Sequence, residues 1–242
     1  MILAALVAIS AGGCGDDGGA QLTVLAASSL QEALTAYGTA FPADVRTSFA
    51  GSDQLASQIR QGVPADVYAA ANTAYPWRLY HEGLAERPAV FAANRLVLAV
   101  PIGSELASMA GLAKPGVKLV IGDSTVPVGE YTREVLGRLP GPERRAILAN
   151  VRSEEPEVSS VLAKLVGGAA DAGFIYVSDL KTAPPHSLRA ISIPRDLQPD
   201  VAYAATVLDD ALHPGLAHRY LDGLLGGHGQ ADLRRAGFLP PP

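Results

Sequence analysis

The chain has 242 residues, with 19 Lys and Arg against 24 Asp and Glu and a net charge of −5. No run of positive charge exceeds the pairs Arg144-Arg145 and Arg234-Arg235, which excludes the concentrated basic face that a nucleic-acid binder needs to displace phosphate counterions. A hydrophobic share of 48% beside 18% charged residues excludes a disordered chain, and the single Cys14 excludes an internal disulfide framework or a cysteine-based zinc cluster.

Met1 to Gly13 is apolar or small throughout, yet shorter than the roughly 20 residues a spanning helix takes, and reads as the core of a signal peptide, residues 1–13. Ala11-Gly12-Gly13-Cys14 resembles the lipobox of bacterial lipoproteins, which implies export and lipidation of Cys14. The glycines and aspartates of residues 14–20 would then form a flexible tether. Gly13-Cys14-Gly15-Asp16-Asp17-Gly18 also has the spacing G-x-G-x-x-G, but no strand precedes it and its two aspartates would repel a pyrophosphate, so it is not a dinucleotide site.

From residue 21 onward, apolar β-branched runs alternate with amphipathic segments, the pattern of an α/β fold with largely parallel sheets. Strands are expected at Leu22–Ala26, Val45–Phe49, Asp66–Ala70, Arg95–Val100, Leu119–Ile121, Gly173–Val177 and Ala202–Val207. Helices are expected at Ser29–Ala40, Gln54–Gln61, Glu130–Leu139, Glu143–Asn150, Glu157–Val166, Pro214–Leu225 and Gln230–Ala236. Arg95–Val100 and Ala202–Val207 read as strands that cross between two lobes. That places residues 20–97 and 205–242 in one lobe and 98–204 in the other, with a ligand cleft between them.

Short polar junctions follow the strands: Ala27-Ser28-Ser29, Ala50-Gly51-Ser52, and Gly122-Asp123-Ser124 with Val126-Pro127-Val128-Gly129. Each opens a helix, and Glu155-Pro156-Glu157-Val158 supplies a further start, with Pro156 where its missing N–H costs little. Such junctions collect at the carboxyl edge of an open sheet, where helix N-termini offer unpaired N–H groups to an anion. A helix dipole supplies only about 0.3–1 kcal/mol, whereas each hydrogen bond to a charged group supplies about 1.5–3 kcal/mol. Several converging N–H and O–H donors could therefore hold an oxyanion although no Lys or Arg occupies the junctions. Ser28, Ser29 and Ser52 read equally well as N-caps, with Ser29-x-x-Glu32 as a capping box, and a hydroxyl can serve both roles.

Leu25-Ala26-Ala27-Ser28-Ser29-Leu30, Phe49-Ala50-Gly51-Ser52, Gly62-Val63-Pro64-Ala65-Asp66-Val67, Val126-Pro127-Val128-Gly129-Glu130-Tyr131 and Ala170-Asp171-Ala172-Gly173-Phe174-Ile175-Tyr176 resemble, in order, the molybdate-binding proteins of bacterial ABC transporters. The resemblance covers nearly everything after residue 20. It implies the two-lobed periplasmic binding protein fold, with mixed sheets flanked by helices and two crossover strands. It also implies a tetrahedral oxyanion, molybdate or tungstate, bound by the hydroxyls of Ser29 and Ser52, the N–H groups of Val128 and Val158, and the hydroxyl of Tyr176. Val128 stands where the family usually has Ala, and Glu155-Pro156-Glu157 where an Asn or Asp commonly precedes the valine. An exported, lipid-anchored, monomeric receptor without cofactor or resident metal follows, with an ABC permease as its partner. A shell made only of donors further implies that phosphate, which carries a proton near neutral pH, is rejected.

A sulfate receptor of the same fold is the nearest alternative. A more distant one is a serine hydrolase, because Gly122-Asp123-Ser124 resembles the nucleophile block of GDSL-type hydrolases and Asp210-Ala211-Leu212-His213 fits their D-x-x-H. Ser124 would then be the nucleophile, with His213 as base and Asp210 as its orienter, but the block follows about a hundred residues of other α/β structure, whereas theirs opens the domain. His213 and His218 are about 140° apart on a helix and do not form a metal pair. Asp66 reads as a residue that fixes a local turn.

Overall fold

The computed structural model describes residues 20–242; the expected signal segment, tether and lipidation site at Cys14 lie outside them. The first lobe opens with β1 (Gln21–Ala27), a 3-10 turn (Ser28–Leu30), α1 (Gln31–Ala40), β2 (Asp44–Ala50), α2 (Ser52–Arg60), β3 (Val67–Ala70), α3 (Ala74–His81) and β4 (Ala89–Asn94). The second is built from β5 (Leu96–Pro101), a 3-10 segment (Met109–Ala113), β6 (Leu119–Gly122), α4 (Pro127–Gly137), α5 (Gly141–Leu148), β7 (Val151–Glu155), α6 (Val158–Val166), β8 (Ala172–Tyr176), α7 (Val177–Thr182) and β9 (Leu188–Ser192). The chain returns to the first lobe with β10 (Val201–Val207), α8 (Pro214–Gly226) and α9 (His228–Arg235).

Two five-stranded sheets result, in the orders β2-β1-β3-β10-β4 and β7-β6-β8-β5-β9. Both are mixed. β1 runs parallel to β2 and β3, while β10 is antiparallel to β3 and β4; β6 runs parallel to β7 and β8, while β5 is antiparallel to β8 and β9. The central strands are apolar on both faces because helices cover both: β3 and β8 are buried at every position. Among the described residues no helix is long and apolar enough to cross a membrane.

The passages between sheets differ from the sequence expectation. β5 lies wholly in the second sheet and β10 wholly in the first, so the chain crosses at Arg95 and again within residues 193–200. The expected limits at 97/98 and 204/205 fall inside strands instead. β4 and β5 are separated by Arg95 alone, and the expected strand Arg95–Val100 took in only the second of them, so the point at which the ladders part was missed. Three strands, β4, β7 and β9, were not expected. β7 and β9 are sheet edges with exposed positions at Arg152, Glu154, Ala190 and Ser192, so neither gives a sustained apolar run.

Helix starts were also revised. α1 begins at Gln31 with Leu30 as N-cap, and α2 at Ser52 with Gly51 as N-cap, and neither has a side-chain cap bond. The expected serine caps and the capping box of Ser29 and Glu32 are therefore absent. The hydroxyls are engaged elsewhere: Ser29 Oγ lies 3.0 Å from Tyr203 Oη, and Ser52 Oγ accepts the N–H of Ala71 at 3.1 Å. α6 starts at Val158 with Glu157 as N-cap, which leaves Pro156 ahead of the helix. Asp66 does fix local structure, since its carboxylate accepts the N–H of Thr23 at 2.7 Å and that of His213 at 2.9 Å, joining β1 to the entry of α8.

Candidate functional site: an oxyanion-sized cleft between the sheets

Strand register brings the junctions together. Ala27 pairs with Ala50, and Ala26 with Ala69, so the chain leaves β1, β2 and β3 side by side at Ser28-Ser29, Gly51-Ser52 and Ala71. In the second sheet Gly122 pairs with Glu155 and Val120 with Gly173, which sets the entries of α4 and α6 beside the end of β8 at Tyr176. The two edges face each other across a cleft lined by Ser29, Ser52, Val128, Glu157, Val158 and Tyr176, among others. All five residues assigned from sequence thus meet at one place.

Its volume is about 20 Å3. A water needs about 10–15 Å3 on such a measure, so the space suits one ion of a few atoms and excludes an amino acid or a sugar. A larger groove, of about 900 Å3, lies by the crossing segments and includes Arg95, Arg195 and Asp200; it gathers none of the strand-end serines, and chemistry favours the small cleft.

Each polar group in the cleft has a structural reason to point there. Val128 is the second residue of α4 and Val158 the first of α6, positions whose N–H groups have no carbonyl one turn back. Pro127 precedes Val128 with no N–H of its own and with φ already suited to the first helical turn. Ser52 is buried, and because its oxygen accepts from Ala71 its own proton is free to be donated. Tyr176 ends β8 and is 1% exposed, with its hydroxyl sealed from solvent and without a hydrogen-bond partner. Burial first, then the nearby Tyr203 phenol, push Tyr176 well above the usual tyrosine range, so this hydroxyl keeps its proton and remains a donor. Among the described residues, no lysine or arginine lines the cleft.

One lining residue escaped sequence reasoning. Glu157 stands in the wall, and its Oε2 is buried without a hydrogen-bond partner. An acceptor therefore borders the donor set, which removes the ground on which phosphate was expected to be rejected. The departure from the family pattern just before Val158 was the available signal.

The lobes touch around the cleft mouth. Asn72 Nδ2 donates to Glu130 Oε2 at 2.9 Å, Thr125 Oγ1 to Asp53 Oδ2 at 2.9 Å, and the Tyr75 hydroxyl to the Thr125 carbonyl. This is a closed arrangement. The hydrolase residues do not assemble: Ser124 is exposed in the loop beside Thr125, whereas Asp210 and His213 follow β10 at the opposite edge of the first sheet, where the His213 N–H is bound to Asp66.

Comparison with known proteins agrees with this geometry. The family model for bacterial extracellular solute-binding proteins matches residues 22–239. The molybdate-binding protein ModA of Mycobacterium tuberculosis is 34% identical over 232 residues, covering 93% of this chain and 86% of that one. Among solved structures, the periplasmic molybdate-binding protein of Azotobacter vinelandii superposes with a TM-score of 0.79 at 21% identity, over 91% of this chain and 100% of that one. The sulfate-binding protein SubI of Mycobacterium tuberculosis superposes with a TM-score of 0.80 at 15% identity, over 91% and 86%; these two likenesses concern the fold alone. With its two mixed sheets and the cleft between them, the chain belongs to the bacterial extracellular solute-binding proteins and, within them, to the ModA family.

Proposed function

We propose that the protein captures molybdate, with tungstate as an equivalent ligand, between its lobes and delivers it to the permease of an ABC transporter. The observation that carries this reading is the convergence of two serines, two helix-start amides and a buried, unpartnered tyrosine hydroxyl on a space of about 20 Å3. Ser29 and Ser52 bind from residues 20–94 and 201–242, the first lobe. Val128, Val158 and Tyr176 complete the shell from residues 96–192, so that the ion favours the closed form by touching both lobes at once. The 34% identity to a molybdate-binding protein supports this ligand over sulfate, whose shorter bonds would leave donors set for a larger ion too far away. Cys14 carries the lipid anchor, residues 1–13 the export signal and residues 14–20 the tether, and the receptor acts as a monomer outside the cytoplasm.

Calorimetric titration of oxyanion-stripped protein with molybdate, tungstate, sulfate and phosphate tests the reading. Molybdate and tungstate should bind at one ion per chain and more tightly than sulfate; a protein that binds none of the four ends the proposal. Glu157→Gln is included in the same series. Removing a negative charge beside a dianion should tighten molybdate binding about tenfold, the modest end of Coulomb energies at short range in a protein. Unchanged affinity would place that carboxylate away from the bound ion.

A further inference from the structure

Ser29 holds its hydrogen-bond partner in a position that determines which way its own proton points. Tyr203, on β10, is fully buried and is not among the residues that line the cleft. Its Oη lies 3.0 Å from Ser29 Oγ, a distance at which either oxygen could donate. The two alternatives have opposite consequences. If Ser29 donates to the phenol, it turns a lone pair toward an incoming anion; if it accepts from the phenol, its single proton is left for the cleft.

Burial decides between them. The Tyr203 phenol is sealed from solvent, and the oxygen beside it is Ser29 Oγ. A buried O–H left without an acceptor costs about 1–3 kcal/mol, so the phenol proton goes to Ser29 Oγ. The serine, which also faces the cleft, has a second direction open to its own proton.

We propose that Tyr203 is a positioning residue for ligand capture: its phenol donates to Ser29 Oγ and so presents the serine proton to the cleft. The inference rests on the oxyanion reading above. It assigns a role to a residue that does not touch the ligand, and it makes Ser29 a preset donor whose hydroxyl need not reorient when the ion arrives. The Tyr203 ring is held independently of its hydroxyl, by edge contacts with Tyr176 at 5.8 Å, Phe238 at 5.2 Å and Phe91 at 6.3 Å between centroids. Tyr203→Phe therefore removes the donor and keeps the packing.

The test is a double-mutant cycle, with molybdate titrated calorimetrically into wild type, Tyr203→Phe, Ser29→Ala and the double variant. Tyr203→Phe should weaken binding about tenfold, the scale of one misdirected hydrogen bond, and should cost nothing further once Ser29→Ala has removed the hydroxyl through which it acts. A Tyr203→Phe variant with wild-type affinity overturns the proposal. So does one whose loss is the same in the Ser29→Ala background, because the tyrosine would then act through packing. Tyr203→Met removes the same hydroxyl with a flexible apolar side chain, and its loss should likewise shrink over Ser29→Ala; an undiminished loss counts against the proposal even if Tyr203→Phe does not fold. Wild type that binds no oxyanion would sink the functional reading itself, which is distinguishable from intact binding without the coupling.

Discussion

Gly51→Ala is expected to lower molybdate affinity at least about a hundredfold, close to 2.7 kcal/mol, with little change in the unfolding midpoint of the ligand-free protein. A Cβ built on Gly51 would sit 2.5 Å from the Pro156 carbonyl oxygen and 2.8 Å from Asp53 Oδ1. The aspartate tip can swing aside. The Pro156 carbonyl cannot, being backbone of the opposite lobe, at the loop that leads into α6. Gly51 itself has φ −59° and ψ 138°, which any residue adopts without strain, so the methyl meets an obstacle only when the lobes close. The substitution is a wedge: it leaves each lobe intact and raises the free energy of the one arrangement in which both halves of the shell reach the ion. Calorimetry and thermal unfolding on the same sample check this, and wild-type affinity would mean that capture does not require the approach seen here.

Gly129→Ala should act in the opposite way, destabilising the protein whether or not ligand is present. Gly129 follows Val128 in the first turn of α4, and a Cβ there would fall 1.7 Å from the Asp123 carbonyl oxygen and 2.5 Å from that of Gly122. Every obstructing atom is backbone of the last residue of β6 or of the loop that joins it to the same helix, so no opening of the cleft relieves the overlap. The helix start has to shift, at a cost of about 3 kcal/mol, the upper range for overpacking, and the Val128 N–H shifts with it. The unfolding midpoint should fall by about 6–12 °C for a chain of this size, and molybdate binding should weaken in parallel. Differential scanning calorimetry of the ligand-free variant decides the matter; an unchanged midpoint would show that the loop yields without cost.

The fold was legible wherever burial leaves a mark on composition. The seven expected strands all form, within one or two residues of their ends; six are apolar runs, and the edge strand β2 shows instead in the alternation of Val45, Thr47 and Phe49 with Arg46 and Ser48. α3 was passed over because Pro76 interrupts Ala74–His81, although a proline in the first turn of a helix removes an N–H that has no partner there. The positions of Ser29, Ser52, Val128, Val158 and Tyr176 followed from their places after strands together with the family pattern, and the register explains why those places converge. Tyr203 was invisible for a physical reason. Its bond to Ser29 spans 174 positions and depends on β10 pairing with β3, so in the sequence it is one more aromatic in an apolar strand.

The cation-free wall of the cleft also governs how quickly the ion arrives. A dianion diffusing toward a chain of net charge −5, and past Glu157, meets long-range repulsion where a lysine-lined site would steer it inward. Added salt shortens the range of that repulsion, from about 30 Å at 0.01 M to about 8 Å at 0.15 M. Association measured by stopped flow should therefore speed up as inert salt is added, while dissociation, set by buried short-range hydrogen bonds, stays nearly constant. A capture rate that slows with salt would reveal a positive group near the mouth. A receptor of this design works best in saline surroundings and trades encounter frequency for a binding shell with no mobile charge to attract the wrong anion.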